Sequence, residues 1–386
     1  CKEILITILV RSSIGSTSKN TMHNKPINRR EFLKLGSLAL GSLALRPFHS
    51  GLLALPDFPE SERLGRVGWY SVDVKQLPDH DSDTLTVLYE DAVVPWLRET
   101  VGYRPFRNNQ RYVETPQGYI WSGDLIPVRN EINKPITVLP QSGDEAGMWV
   151  EVTVPYIDTI MDNPPPRSSF FQYRVENGMP LRLYWSQILW VDKIRINDDG
   201  AIQYRVNERY GNPGDMLWAP GEAFRPITQE ELSPISPGVE DKRIVVRVRW
   251  EEQILSCYER DTEVFFCRVS TGKSEGSTPT SAVASPGFQI WRKLHSLHMS
   301  GGTNAEGWDL PGIGWTSLFH GDGVAIHSTF WHNNFGEPMS HGCVNCAPDD
   351  AKWIYRWTHP VVPFDTGDND VTITGETSTR IQVVEE

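Results

Sequence analysis

From Arg243 onward apolar and polar residues trade places almost strictly, first in RIVVRVRW, then in QILSCYER and EVFFCRV. A period of two marks strands with one buried face. These runs predict three strands, with Glu259-Arg260-Asp261-Thr262 as the turn between the second and third. The only helical signal is PDDAKWIYRW, Pro348 to Trp357. Its proline suits a first helical position, and Asp349 and Asp350 suit the positive end of a helix.

Upstream the pattern is also strand and turn. Residues 62–130 alternate short β-branched and aromatic runs with Pro, Asp and Gly breaks, closing with GYIWSGDLIPVRN. Residues 131–146 read as a linker. Residues 147–230 form a second β-rich module, in which NDDG (197–200) supplies a hairpin turn. ELSPISPGVED, 231–241, is Pro-rich and polar and reads as a boundary between parts that fold separately, the last being 241–386. The expected class is mainly β: small N-terminal β-barrel modules, then a β-sandwich with one short helix.

A chain of 386 residues suggests two or three domains. A net charge of −12 argues against nucleic acid, which requires a basic footprint. No apolar run reaches the roughly 18 residues of a membrane span. The first 55 residues have a different character. Met22 is the expected start, followed by Arg29-Arg30, Phe32-Leu33-Lys34 and a short apolar stretch from Leu35 to Leu45. This is leader anatomy, and NRREFLK resembles the twin-arginine export signal, a receptor-read address. Removing residues 1–55 leaves 29 basic and 47 acidic residues, a net −18. The expected location is the cell wall or extracytoplasmic space; an uncleaved leader would leave a membrane tether.

The chemistry concentrates in IHSTFWHNNFGEPMSHGCVNCAPDDA, 326–351. A metal site would draw on His327, His332 and His341, but these show no regular ligand spacing. Cys343 and Cys346 fit C-x-x-C, yet redox motifs of that kind open a helix in a βαβ unit, which nothing here predicts. A cysteine nucleophile explains more. Cys343 needs a base, and His327 lies sixteen positions earlier. Gly342 allows a tight turn whose backbone N–H groups could face an oxyanion. Cys346 reads as a small buried residue, and Trp308, Trp315 and Trp331 as packing more than glycan platforms. His295, His298 and His320 read as surface or supporting residues. Cys257 and Cys267 flank the ERDT turn, and a hairpin centred near Thr262 would oppose them as a candidate disulfide.

His327…Ser340-His341-Gly342-Cys343-Val344-Asn345 resembles the signature of the L,D-transpeptidase catalytic domain. VSTGK (269–273), TPT (278–280), GFQIWRK (287–293) and DAKWIYRW (350–357) extend the resemblance over 241–386. It departs where SAVASP intervenes before Gly287. Residues 62–130 resemble the small bacterial Src-homology-3-like barrels that accompany cell-wall enzymes. The resemblance implies a cysteine acyltransferase without cofactor or metal. Cys343 would attack a tetrapeptide stem of peptidoglycan, and the acceptor amine of a neighbouring stem would close a 3→3 crosslink. It implies His327 as base, Ser328 as its orienter and His341, Gly342 and Cys343 as the oxyanion hole. Ser340 and Asn345 would brace the turn, and Trp331 and His332 would support it or touch substrate. Carbapenems are the expected inhibitors. Water as acceptor would make an L,D-carboxypeptidase; a non-catalytic wall-binding protein is the reading of a different class.

Overall fold

The computed structural model describes residues 53–385 apart from 143, 275, 282–286, 302–307, 322, 365–370 and 373–377. The leader through Leu52, with Arg29-Arg30, and most of SAVASP lie outside the described residues.

Strand dominates. An N-terminal β unit pairs Leu64–Val67 with Val93–Pro95 on one side and Leu125–Val128 on the other. A second, five-stranded sheet runs from Thr84–Tyr89 to Arg98–Val101. Val67, Val74, Val113, Ile120 and Leu125 close a small core between them. Next comes a seven-stranded sheet, in which Ile188–Ile196 turns through the predicted NDDG hairpin into Ile202–Val206. Gly200 accepts the left-handed backbone (φ +85°) that this turn requires.

The C-terminal part stacks two five-stranded sheets. One contains the three predicted strands, Lys242–Arg249, Glu252–Glu259 and Thr262–Arg268. The other runs Val344–Cys346, Val324–Ser328, Trp308–His320, Arg292–Gly301, Val371–Thr372. Helix Pro348–Trp357 packs on Trp315, Phe319 and Ile326 through buried Ala351, Ile354, Tyr355 and Trp357. A second helix, Ser169–Glu176, was not foreseen. It buries only Phe171 and Arg174, so no apolar stripe announces it, and Ser168 caps it by accepting the Phe171 N–H.

ELSPISPGVED does not interrupt the packing. Leu232 is buried, and Ile235 packs against a core that joins Trp149, Ile188 and Trp190 of the seven-stranded sheet to Ile244, Leu255 and Trp315 of the C-terminal sheets. Burial of apolar surface at about 25 cal/mol per Å² makes such a shared core a strong bond between neighbouring parts.

A polar clamp reinforces this contact. His298, expected at the surface or in a supporting position, is buried, with Nδ1 bonded to Glu208 at 2.6 Å and Nε2 to Asp309. Asp309 also accepts the Ser169 backbone N–H and hydroxyl, and Glu208 the Gly312 N–H. Burial alone would lower the imidazole's pKa, but hydrogen bonds and charge from Asp309 and Glu208 raise it to about 10. Folding therefore favours the proton. This contribution is complete below the unfolded value near 6.5 and disappears as pH rises through about 10. His298→Ala should destabilise by about 3–5 kcal/mol, because it leaves buried carboxylates without their cation. Thermal melts of the wild type should fall between pH 7 and 10.5, and the variant's fall should be flatter; parallel curves would refute the charged clamp.

Candidate active site

Strand Val324–Ser328 carries His327 near its end, and strand Val344–Cys346 starts one residue after Cys343. They run parallel, with Ile326 opposite Val344, His327 opposite Asn345 and Ser328 opposite Cys346. Both are buried on both faces, as parallel strands usually are. The register sets Cys343 against Ala325, which shares a strand face with His327. The thiol is half-open to solvent and its hydrogen-bond partner is the Gly323 carbonyl, at a long 3.8 Å, rather than His327.

The His327 Nδ1 lies 2.8 Å from the Ser328 carbonyl. A carbonyl only accepts, so Nδ1 carries the proton and Nε2 keeps its lone pair. Burial lowers this imidazole to about 4, with the Ser328 carbonyl pulling slightly upward. Desolvation by packed neighbours pushes the Cys343 thiol the other way, above its ordinary value. The pair is neutral thiol and neutral imidazole at pH 7. Trp331 lies over His327 with ring centres 5.9 Å apart.

The turn before the cysteine is tied through side chains. Ser340 Oγ accepts the Gly342 N–H at 3.0 Å and donates to the Cys343 carbonyl at 2.6 Å. The Gly342 N–H, expected in an oxyanion hole, is thus already engaged by Ser340. Thr278 Oγ1 donates to the Gly342 carbonyl and accepts the Gly272 N–H. His341 is exposed, and Trp308 stacks on it at 4.3 Å, whereas Trp315 is core. His332 is buried between the Asn334 N–H and the Asn345 amide, 3.0 Å from the latter.

A family model of the L,D-transpeptidase catalytic domain (YkuD) matches residues 241–373, the span that holds this strand pair and turn. Residues 241–373 are an L,D-transpeptidase catalytic domain. L,D-transpeptidase 2 of Mycobacterium tuberculosis (strain CDC 1551 / Oshkosh) is 20% identical over 244 residues, 56% of this chain and 52% of that protein. The chain thus spans about half the length of that curated relative. Among solved structures, an L,D-transpeptidase from Mycobacterium smegmatis aligns at 17% identity and a TM-score of 0.28, over 65% of this chain and 98% of that one. The catalytic domain of the E. faecium L,D-transpeptidase acylated by ertapenem aligns at 23% and 0.25, over 35% and 98%.

Within the transpeptidase domain, Cys257 and Cys267 are not opposed. Glu259 pairs with Thr262, so the hairpin centres on Arg260-Asp261, and Arg260 takes the left-handed backbone (φ +56°). A register shift beyond Cys257 then sets it opposite Phe265, while Cys267 faces Leu255. Both are free thiols buried in the same core as Cys346. Sequence reasoning passed over the individual role of Thr278; its only signal was the TPT block. It also passed over Lys293, buried with Nζ donating to the carbonyls of Tyr355, Thr358 and Pro360.

Gly342 has φ +146°, and a Cβ there would stand 2.7 Å from the Ser277 carbonyl oxygen. Gly342→Ala should therefore cost about 1–3 kcal/mol. Urea unfolding would register this as a lower midpoint at unchanged slope; an unchanged midpoint would mean that the turn relaxes freely.

Proposed function

We propose that the chain is an exported L,D-transpeptidase that forms 3→3 peptidoglycan crosslinks through a thioester on Cys343. The observation that carries this reading is the fixed tautomer of His327, one residue along the strand from the Ile326–Val344 pair that brings in Cys343. A base with a free Nε2 beside a neutral thiol is what acyl transfer at neutral pH requires.

The thiol proton passes to His327 Nε2 as Sγ bonds to the carbonyl between the third stem residue and the terminal D-alanine. The C–N bond breaks, and the departing amine takes the proton from the imidazolium. In the second half the amine of a neighbouring stem attacks the thioester, gives its proton to His327, and releases the thiol. The N–H groups of Cys343 and His341 are the candidate donors to the oxyanion in both halves. Water in place of the amine would release a tripeptide. Export rests on the Arg29-Arg30 leader, and the N-terminal β unit is proposed to face the wall.

Purified protein incubated with tetrapeptide muropeptides should yield crosslinked dimers by mass spectrometry; tripeptide alone would make it a carboxypeptidase. Cys343→Ala should abolish product, and His327→Ala should lower the rate ~10²–10⁴-fold. Carbapenem treatment should add one adduct on Cys343, whereas an adduct on Cys346 would refute the assignment.

The pH profile is a separate check. With His327 lowered to about 4, its base form is present well below the ordinary 6.5. The acid limb of kcat/KM should therefore lie near pH 4, and a limb between 6 and 7 would show that His327 is not the base measured.

A further inference from the structure

Between His327 and Cys343 the chain leaves the sheet and returns, and much of what holds this excursion comes from more than 200 residues earlier. Arg66 donates to the Phe330 carbonyl at 2.8 Å. Asn333 donates to the carbonyls of Ser122 and Leu125. Glu337 is almost wholly buried, and three of its four donors belong to the N-terminal β unit. Oε1 accepts the backbone N–H groups of Asn108 at 2.9 Å and Asn109 at 3.3 Å, and Oε2 accepts from Arg107 at 2.6 Å. The fourth donor is Asn334, at 3.1 Å.

From Asn334 the bonds continue inward. Its backbone N–H donates to His332 Nδ1, which must therefore lack a proton. Nε2 then carries the proton and faces the Asn345 amide at 3.0 Å. Only the amide oxygen can accept it; the opposite rotamer would set two donors against each other and leave a buried Asn345 oxygen without a partner. Burial keeps His332 neutral, which this arrangement needs. Asn345 lies two residues after Cys343 and opposite His327.

We propose that Glu337 is a positioning residue through which the N-terminal β unit sets the placement of Cys343 relative to His327, by way of Asn334, His332 and Asn345. The N-terminal β unit is thereby a working part of the active site as well as a surface module. A carboxylate sealed beneath two backbone N–H groups and a guanidinium is held by charge-assisted bonds, roughly twice as strong as neutral ones. Each later link joins buried residues, Asn334, His332 and Asn345. The proposal rests on Cys343 being the nucleophile with His327 as its base.

The test uses the full chain. Misplacement of reacting groups by about 1 Å can cost ~10²-fold. Glu337→Ala should therefore lower kcat by about 10- to 100-fold with KM changed by less than about 3-fold, since the residue touches no substrate. Glu337→Gln, which keeps an acceptor for the two N–H groups, should recover part of that loss. Arg107→Ala, on the other side of the contact and half-exposed, should lower kcat in the same direction, and the double variant should be less than additive. If Glu337→Ala does not fold, Arg107→Ala and Glu337→Gln carry the test. A second readout is the rate of Cys343 alkylation by iodoacetamide, followed by peptide mapping. Unchanged kcat and unchanged alkylation in Glu337→Gln and Arg107→Ala overturn the proposal. A wild type that alkylates at Cys343 but makes no product overturns the transpeptidase reading instead, and the alkylation rates of the variants still decide the role of Glu337.

Discussion

The parallel pairing of Val324–Ser328 with Val344–Cys346 is the constraint from which the site follows. Parallel neighbours cannot be joined by a tight turn, so the chain must leave the sheet and come back. Here the return is made by irregular backbone rather than by a helix, and each ordered residue costs roughly 1–2 kcal/mol of conformational entropy. Such a segment holds one shape only if partners outside it repay that cost. The VSTGK stretch is one partner: the Thr271 carbonyl accepts the N–H groups of Met339 and Ser340, and the Val269 carbonyl that of Gly336. Ser270 adds a bond from its hydroxyl to the Asn334 carbonyl. The N-terminal β unit is the other partner. The same sheet edge that juxtaposes His327 and Cys343 thus obliges the protein to recruit distant sequence to the loop between them.

The middle of the chain enters by a different route, through apolar contact. Ile188 and Leu189 press on Gly314 and Gly312 of the long strand Trp308–His320, where a Cβ would meet them at 2.4 and 2.8 Å. Trp149 meets the buried His295 ring edge-on, and His295 in turn bonds the Tyr355 hydroxyl on the helix after Cys346. The seven-stranded sheet therefore packs on strands Arg292–Gly301 and Trp308–His320, which share a sheet with the strands that hold His327 and lead out of Cys343. The His298 clamp lies one residue from Trp308, the ring stacked on His341.

How much of this could be read in advance depended on the distance over which each signal acts. The strands from Lys242 to Arg268 were legible because one face is buried and the alternation is local. Helix Pro348–Trp357 was legible to the residue because its proline and two aspartates are N-terminal signals in themselves. Ser340 entered only through the family resemblance, whereas His327 and Cys343 were legible as a spacing. Helix Ser169–Glu176 was not, having no apolar stripe. Nor was the true centre of the Cys257 hairpin, which a positive φ at Arg260 and a bulge displaced. Glu337 and Arg107 lay beyond any local rule, since a single acidic residue in a loop looks solvated until its partner, 230 residues earlier, is folded against it.

The buried polar residues around the site meet the cost of losing water in two ways. A buried ammonium without a carboxylate is expensive, and desolvation drives Lys293 well below its ordinary pKa. Its three carbonyl acceptors sit at and just beyond the end of helix Pro348–Trp357, where the helix dipole is negative. Lys242 donates to the Trp357 carbonyl at the same end. The helix thus meets aspartates at its positive end and lysines at its negative end, and it begins two residues after Cys346. His327 and His332 are handled in the opposite way: each gives up its charge and keeps one fixed tautomer through backbone partners. A charged His332 beside His327 would repel the imidazolium that the proposed acyl transfer requires, so the neutral tautomer set by Asn334 suits the proposed base as well as the fold.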